Sequence, residues 1–353
     1  MIALSQPLTG DRTHRARRLC LWLTMALVTV AALSIQTGAS GVSLGDVTRD
    51  WLSDAGIDPR DRVILLNIRL PRLLLAMIIG AALAVSGAMM QGLFRNPLAD
   101  PGIVGVGAGA GLGAVAAIVL AGVFPVWLTG FAGQQLVGIM AFAGSVAVVL
   151  LLYRVATRGG RTSVATMLLA GIAVASLTGA LTAVLIYLAD DQQLRTLTFW
   201  GLGSLAGASW AKLWTALPLI LPALILSPLL ARGLNGLALG EAAAGHMGLP
   251  VQKVKRGSIL IVAAATGASV AVAGGIGFIG IVVPHLLRLA AGPDHRWLLP
   301  NAALLGATLL ALADIVARMV VAPAELPIGI VTALIGAPVF LWILLNRRGV
   351  IDL

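Results

Sequence analysis

The side chains able to do chemistry in this chain are few, and most stand at the edges of apolar runs. Asp314 is the clearest exception. It lies inside ALADIVARM, with Arg318 four positions on and so on the same face of a helix. An ionisable pair within an apolar span reads either as a structural pair or as one step of a relay. A relay needs a series of such groups, and the sequence offers none. The histidines are His14, His246, His285 and His295, and no two have a metal-ligand spacing such as HxxxH. No serine, histidine and aspartate fall at a common depth, so a buried hydrolytic site is not expected. The lone Cys20 excludes an internal disulfide and a cysteine-rich metal site, and it reads as a small apolar residue. Gly274-Gly275-Ile276-Gly277 lacks the Gly-Lys-Ser/Thr that completes a phosphate loop, and no GxxxxGK[ST] occurs elsewhere. If ATP drives this protein, another subunit must bind it.

A second group is basic. Arg60, Arg62, Arg69 and Arg72 crowd the start of one apolar run. They suit either anchoring to lipid headgroups or docking of an acidic partner.

These residues need elements to position them, and composition says which. Of 353 residues, 59% are hydrophobic and 11% charged, with a mean hydropathy of +0.99. So few charges cannot cover a soluble domain of this size; most of the surface must face lipid. A net charge of +10 could suggest nucleic acid, but the basic residues are scattered between apolar runs as loop charges. Backbone polar groups in lipid must pair internally, and long continuous runs favour helices over a barrel. At roughly 20 residues per crossing, about ten spans fit. The expectation is an all-α polytopic membrane protein forming one transmembrane domain. Its spans are placed near 19–37, 67–93, 102–124, 133–153, 163–188, 209–231, 258–273, 278–291, 298–317 and 327–345. The first is expected to be retained, since no small-residue cleavage site precedes it. A short helix is expected around Leu44–Leu52, and loops at Tyr153–Arg161 and around Asp190, Asp191 and Arg195. With a cytoplasmic N-terminus, 16 of the 24 lysines and arginines fall inside and 8 outside, as the positive-inside bias requires. Both termini are then cytoplasmic.

Small residues recur every four positions: Gly80, Ala84, Ala88 and Gly92; Gly105, Gly109 and Gly113; Gly107 and Gly111. Such rows let helix backbones approach closely in lipid. Two rows on one helix cannot both be fully used on neighbours, so one could line a pore. The Gly274–Gly277 segment reads as a helix break facing a cavity or packed protein. The longest inner loop contains the alanine-rich stretch Ala238–His246, a helix former stopped by Gly248 and Pro250. It suits either a rigid piece that transmits force to a soluble partner or a plain amphipathic loop.

Longer motifs now stand out: RLPR (69–72), SGAMMQGLFRNPLADPGIVGVGAGAG (86–111), LLAGIA (168–173), FWGLGSL (199–205), LNGLALGEAAAGHMGLP (234–250), GGIGFIGIVVPHLLRLAAGPDHRWLLP (274–300), ADIVAR (313–318) and ELPIGIVTALIGAPVFLWILL (325–345). By these the chain resembles FecCD-type permeases, which belong to type II ABC importers of iron-siderophores, haem and cobalamin. The resemblance implies a homodimer of ten-helix subunits in a bacterial inner membrane. It also implies two copies of a cytoplasmic ATPase, which would hold ATP and Mg, and a periplasmic substrate-binding protein; this chain itself would bind no cofactor. Docking arginines would be Arg69, Arg72 and Arg318. A cytoplasmic gate would match Asn96, Pro97 and Leu98, with a second at Thr162 and Ser163. Coupling to the ATPase would fall to Gly240, Glu241, Ala244, Gly245, His246, Gly248 and Leu249. GLFRNPLADPGIVGV is similar to haem permeases, which makes haem the first expectation for substrate and a ferric siderophore or cobalamin the alternative. Met89, Met90 and Met167 could offer soft contacts but suit core packing better. From other classes, an ion-coupled secondary transporter and a non-transporting membrane scaffold are the rivals.

Overall fold

In the computed structural model, residues 12–38, 58–125 and 135–346 are described. The expected helix at 44–52, Asp46, Asp50 and Asp54 lie outside them, as do Arg347, Arg348 and the first residues of the span placed at 133–153. Among the described residues, seven helical stretches are long and apolar enough to cross a membrane, and three shorter apolar helices accompany them. That matches the number of spans expected.

The centre is α3 (Leu70–Phe94), nearly all of whose side chains are buried. It follows α1 (Thr13–Gln36), the short α2 (Pro59–Val63) and one π-helical segment, Ile64–Arg69. A turn and a 3-10 segment, Pro101–Val104, lead into α4 (Val106–Val119), which packs on α5 (Leu136–Ala156). A two-residue hairpin, β1 (Thr157–Arg158) and β2 (Arg161–Thr162), leads into α6 (Val164–Tyr187). Then come α7 (Asp191–Gly201), α8 (Trp210–Leu226), a 3-10 turn, α9 (Ala231–Ala238) and α10 (Glu241–His246). The chain closes with α11 (Val251–Ala273), α12 (Ile279–Ala291), α13 (His295–Met319) and α14 (Ile328–Asn346).

The long helices α3 and α13 run antiparallel along their whole length. Arg72 meets Asp314 near one end. An added Cβ at Gly80 would overlap the Gly306 carbonyl, and one at Gly92 would lie 2.5 Å from His295 Nε2. Small residues thus let two backbones touch where lipid provides no hydrophobic drive. The row Gly105, Gly109 and Gly113 does the same for α4 against α5, with Gly109 on Gly144 and Gly113 on Met140. The other row, Gly107 and Gly111, meets nothing within 4 Å, so the surplus small face of α4 is open.

Several boundaries differ from expectation. The supposed loop at Asp190–Arg195 opens α7, because the Asp190 carboxylate accepts from Gln193 N–H while the Gln193 side chain accepts from Asp190 N–H, a capping box. The supposed basic loop after α5 is a hairpin, with Gly159 and Gly160 both at positive φ, as a tight two-residue turn requires. α11 begins at Val251 rather than 258, so Lys253, Lys255 and Arg256 belong to its first turns. The alanine stretch does not form one helix: Leu239 ends α9, and Gly240 at φ +104 reorients the chain before α10.

Candidate functional site

Two ends of the α3–α13 pair carry the candidate residues. At a rise of about 1.5 Å per residue, Arg72 and Phe94 stand roughly 33 Å apart along α3, close to the ~30 Å hydrocarbon thickness of a bilayer.

At the first end, Arg69, Arg72 and Arg318 come together. All are buried, at 5, 7 and 9% exposure. Arg72 forks onto both oxygens of Asp314 at 2.9–3.1 Å and reaches Glu325 with Nη1 at 2.8 Å. Arg318 lies 3.1 Å from Asp314, the local pair that the four-residue spacing suggested. It also donates to the Thr37 carbonyl at 2.9 Å and to Ser34 Oγ at 3.0 Å. Arg69 donates to the carbonyls of Ile35 and Gln36. One carboxylate, Asp314, therefore holds two guanidiniums and ties α3 to α13, while the arginines tie both to the end of α1. Glu325 was missed by sequence reading; only the run ELPIG placed it after α13. Arg60 and Arg62 remain exposed on α2.

At the second end, α3 closes with Arg95 in the left-handed region at φ 50. Asn96 Oδ1 then accepts from Leu98 N–H at 2.9 Å, and Asp100 Oδ1 accepts from Gly102 N–H at 2.7 Å to start the 3-10 turn. Burial raises the Asp100 carboxyl above its ordinary range, against the opposing effect of the Gly102 N–H. The hairpin places Thr162 and Ser163 here too. Thr157 and Thr162 share a hydroxyl hydrogen bond of 2.9 Å, and Ser163 Oγ caps α6 by accepting from Thr166 N–H. The segment Gly240–Leu249 reaches both, the hairpin by way of Lys255. A Cβ at Gly240 would lie 3.8 Å from an Arg95 guanidinium nitrogen, and Glu241 pairs with Lys255 at 2.5 Å. Ala244 of α10 is fully buried, and its carbonyl accepts from Leu249 N–H at 3.1 Å. Gly245, His246 and Gly248 are exposed on the outer side of the same segment. Asn235 of α9 donates to Asp294 Oδ1 at 2.6 Å and accepts from His295 N–H at 2.9 Å, fastening this end to α13.

Between the ends lies a cavity of about 500 Å³, lined by Asp100, Gly102, Gly107, Gly275, Gly277 and Phe278 among others. Gly275–Phe278 of the helix break thus line a cavity, one of the places where non-helical backbone is tolerated in a membrane, and Gly107 of the open glycine face of α4 lines it too. Met89, Met90 and Met167 are instead buried in the core. Among the described residues no cluster of His, Cys, Asp and Glu could hold a metal ion.

A multi-helix membrane body with buried charge at one end, broken helices around a cavity, and turn elements bound to a short surface helix at the other defines a permease. Residues 25–346 match the FecCD transport family, and the chain belongs to that family, the permeases of type II ABC importers. It is similar to the hemin transport system permease protein HmuU of Yersinia pestis, at 48% identity over 94% of this chain and 96% of that one. It is likewise similar to the vitamin B12 import system permease protein BtuC of Shigella boydii, at 45% identity over 94% of this chain and 95% of that protein. A solved structure described as an inward-facing metal-chelate type ABC transporter superposes with a TM-score of 0.82 at 32% identity, covering 94% of this chain and 99% of that one. As a permease of this class the chain works with a partner ATPase and a binding protein, and hydrolysis belongs to the ATPase.

Proposed function

We propose that this chain is the haem-conducting permease of its importer, working as a homodimer with two ATPase subunits and with both termini in the cytoplasm. The observation that carries the substrate is the 48% identity to a hemin permease over nearly the full length of both chains. The 45% identity to a B12 permease makes cobalamin the second reading. The experiment is uptake into vesicles holding the complete complex, comparing labelled haem, a ferric siderophore and cobalamin. Haem uptake well above the other two is expected; preferential uptake of cobalamin or the siderophore would overturn the haem assignment.

In this reading the loaded binding protein docks over Arg69, Arg72 and Arg318. Since these three are buried and engaged with Asp314, Glu325 and α1, the exposed Arg60 and Arg62 provide the first contact for acidic side chains. Substrate passes beside α6, much of whose apolar surface this chain leaves uncovered, and beside the open face of α4. Movement of Gly240–Leu249 by the ATPase opens the Asn96–Leu98 turn and the Thr162–Ser163 hairpin. Reversing Arg72 would set a third carboxylate beside Asp314 and Glu325, so the docking test uses Arg60→Glu with Arg62→Glu. Binding-protein affinity, measured by biolayer interferometry, is expected to fall several-fold, mostly through slower association and less so at high salt. Unaltered association at low salt would contradict it.

A further inference from the structure

Lys255 is a buried cation that the permease reading above leaves unused. It is the fifth residue of α11 and 1% exposed. Its ammonium donates to the Thr162 carbonyl at 2.6 Å and pairs with Glu241 at 2.5 Å. Thr162 is the last residue of the hairpin, immediately before the cap of α6. Glu241 is the first residue of α10, aimed by the positive φ of Gly240. One nitrogen therefore joins the start of the coupling helix to the backbone of the hairpin.

We infer that Lys255 is a positioning residue that transmits displacement of α10 to the Thr162–Ser163 hairpin; this rests on reading α10 as the face that meets the ATPase. The Thr162 N–H also donates to Gln252 of α11 at 2.9 Å. That bond fixes the hairpin to α11, and the ammonium adds the tie to α10. Burying a lysine is costly, and an apolar side chain of similar volume would often hold a fold as well or better. The charge is therefore accounted for by what it connects. The pair is also asymmetric. Lys255 is enclosed, while the Glu241 side chain is 44% exposed, so water can take over Glu241 when α10 moves. The link can yield without stranding a buried carboxylate.

The same asymmetry makes Lys255→Met a usable variant, because the charge it leaves behind is hydrated. The test uses the assembled complex of permease, ATPase and binding protein in lipid vesicles, in a Cys20→Ser background. Spin labels at Arg161→Cys on the hairpin and Arg232→Cys on α9 report their separation without nucleotide and with ATP and vanadate. The wild-type pair is expected to change separation between the two states. In Lys255→Met the change should at least halve while ATP hydrolysis and thermal midpoint stay near wild type, and Lys255→Arg should restore most of it. A full-sized change in Lys255→Met would overturn the relay, as would a wild-type hairpin that does not respond to nucleotide. If α10 is not the ATPase face, Glu241→Lys and Ala242→Trp will leave ATPase binding intact. That result removes the underlying reading, and the relay with it, without any reference to the labels.

Discussion

Asp314 ties two arginines from different helices into one buried cluster. It pairs with Arg72 and Arg318 at once, at 1% exposure, and Glu325 supplies the second negative charge. Removing it leaves two guanidiniums facing each other in a buried site with only Glu325 for compensation. Breaking such a pair from one side costs about 3–5 kcal/mol. Asp314→Ala is therefore expected to lower the thermal midpoint of the purified protein sharply, or to prevent its recovery. Asp314→Ala melting like wild type would mean the network is dispensable. The Arg318 half of the network was legible, because four residues on a helix is a local rule. The Arg72 half was not, because 242 positions separate the partners and nothing in the spacing joins them. Asp294 behaves differently, being near the surface. Burial raises its pKa, but the Arg296 side chain, the Arg296 N–H and the Asn235 amide together bring it down from 3.8 to about 2. A depressed carboxylate stabilises above its unfolded pKa and loses that contribution as pH falls through the folded one. Asparagine also caps helices well, so comparison with Asp294→Asn isolates the charge. The difference in thermal midpoint should be constant above about pH 4 and shrink as pH falls toward 2; a constant difference across that window would contradict it.

Elements were legible where a rule is local and obscured where a neighbour decides. The apolar runs marked the spans, and the Gly274–Gly277 segment marked a break. Asp190 with Gln193 formed a capping box that spacing alone could have shown, had the two aspartates not suggested a loop. The hairpin at 157–162 had one sign, the pair Gly159-Gly160, too short to separate from a basic linker. The glycine rows of α4 could be counted, but which one meets a neighbour depends on where α5 lies. That difference is testable. A methyl group at Gly80 collides with the Gly306 backbone, whereas one at Gly111 meets nothing. Gly80→Ala is expected to cost about 1–3 kcal/mol by overpacking, and Gly111→Ala less than about 0.5 kcal/mol. Equal midpoints for the two in thermal denaturation would show that the α3–α13 crossing is looser than the structure implies.

Across the whole molecule, the α3–α13 pair separates two kinds of polar site by the thickness of a bilayer. One is a locked ionic cluster, held by paired charges and by the end of α1. The other is a set of turns fastened by a few hydrogen bonds, with Gly240 beside Arg95 and the hairpin linked to Glu241 through Lys255. Membership in the FecCD family supplies the engine as a separate ATPase, consistent with a sequence that has no phosphate loop. The most direct test is ATP hydrolysis by the purified chain alone, beside the chain reconstituted with its ATPase and binding protein. The account predicts no turnover by the chain alone, and turnover in the complex that rises when the loaded binding protein is added. Hydrolysis by the isolated chain, or a complex indifferent to its binding protein, would contradict it.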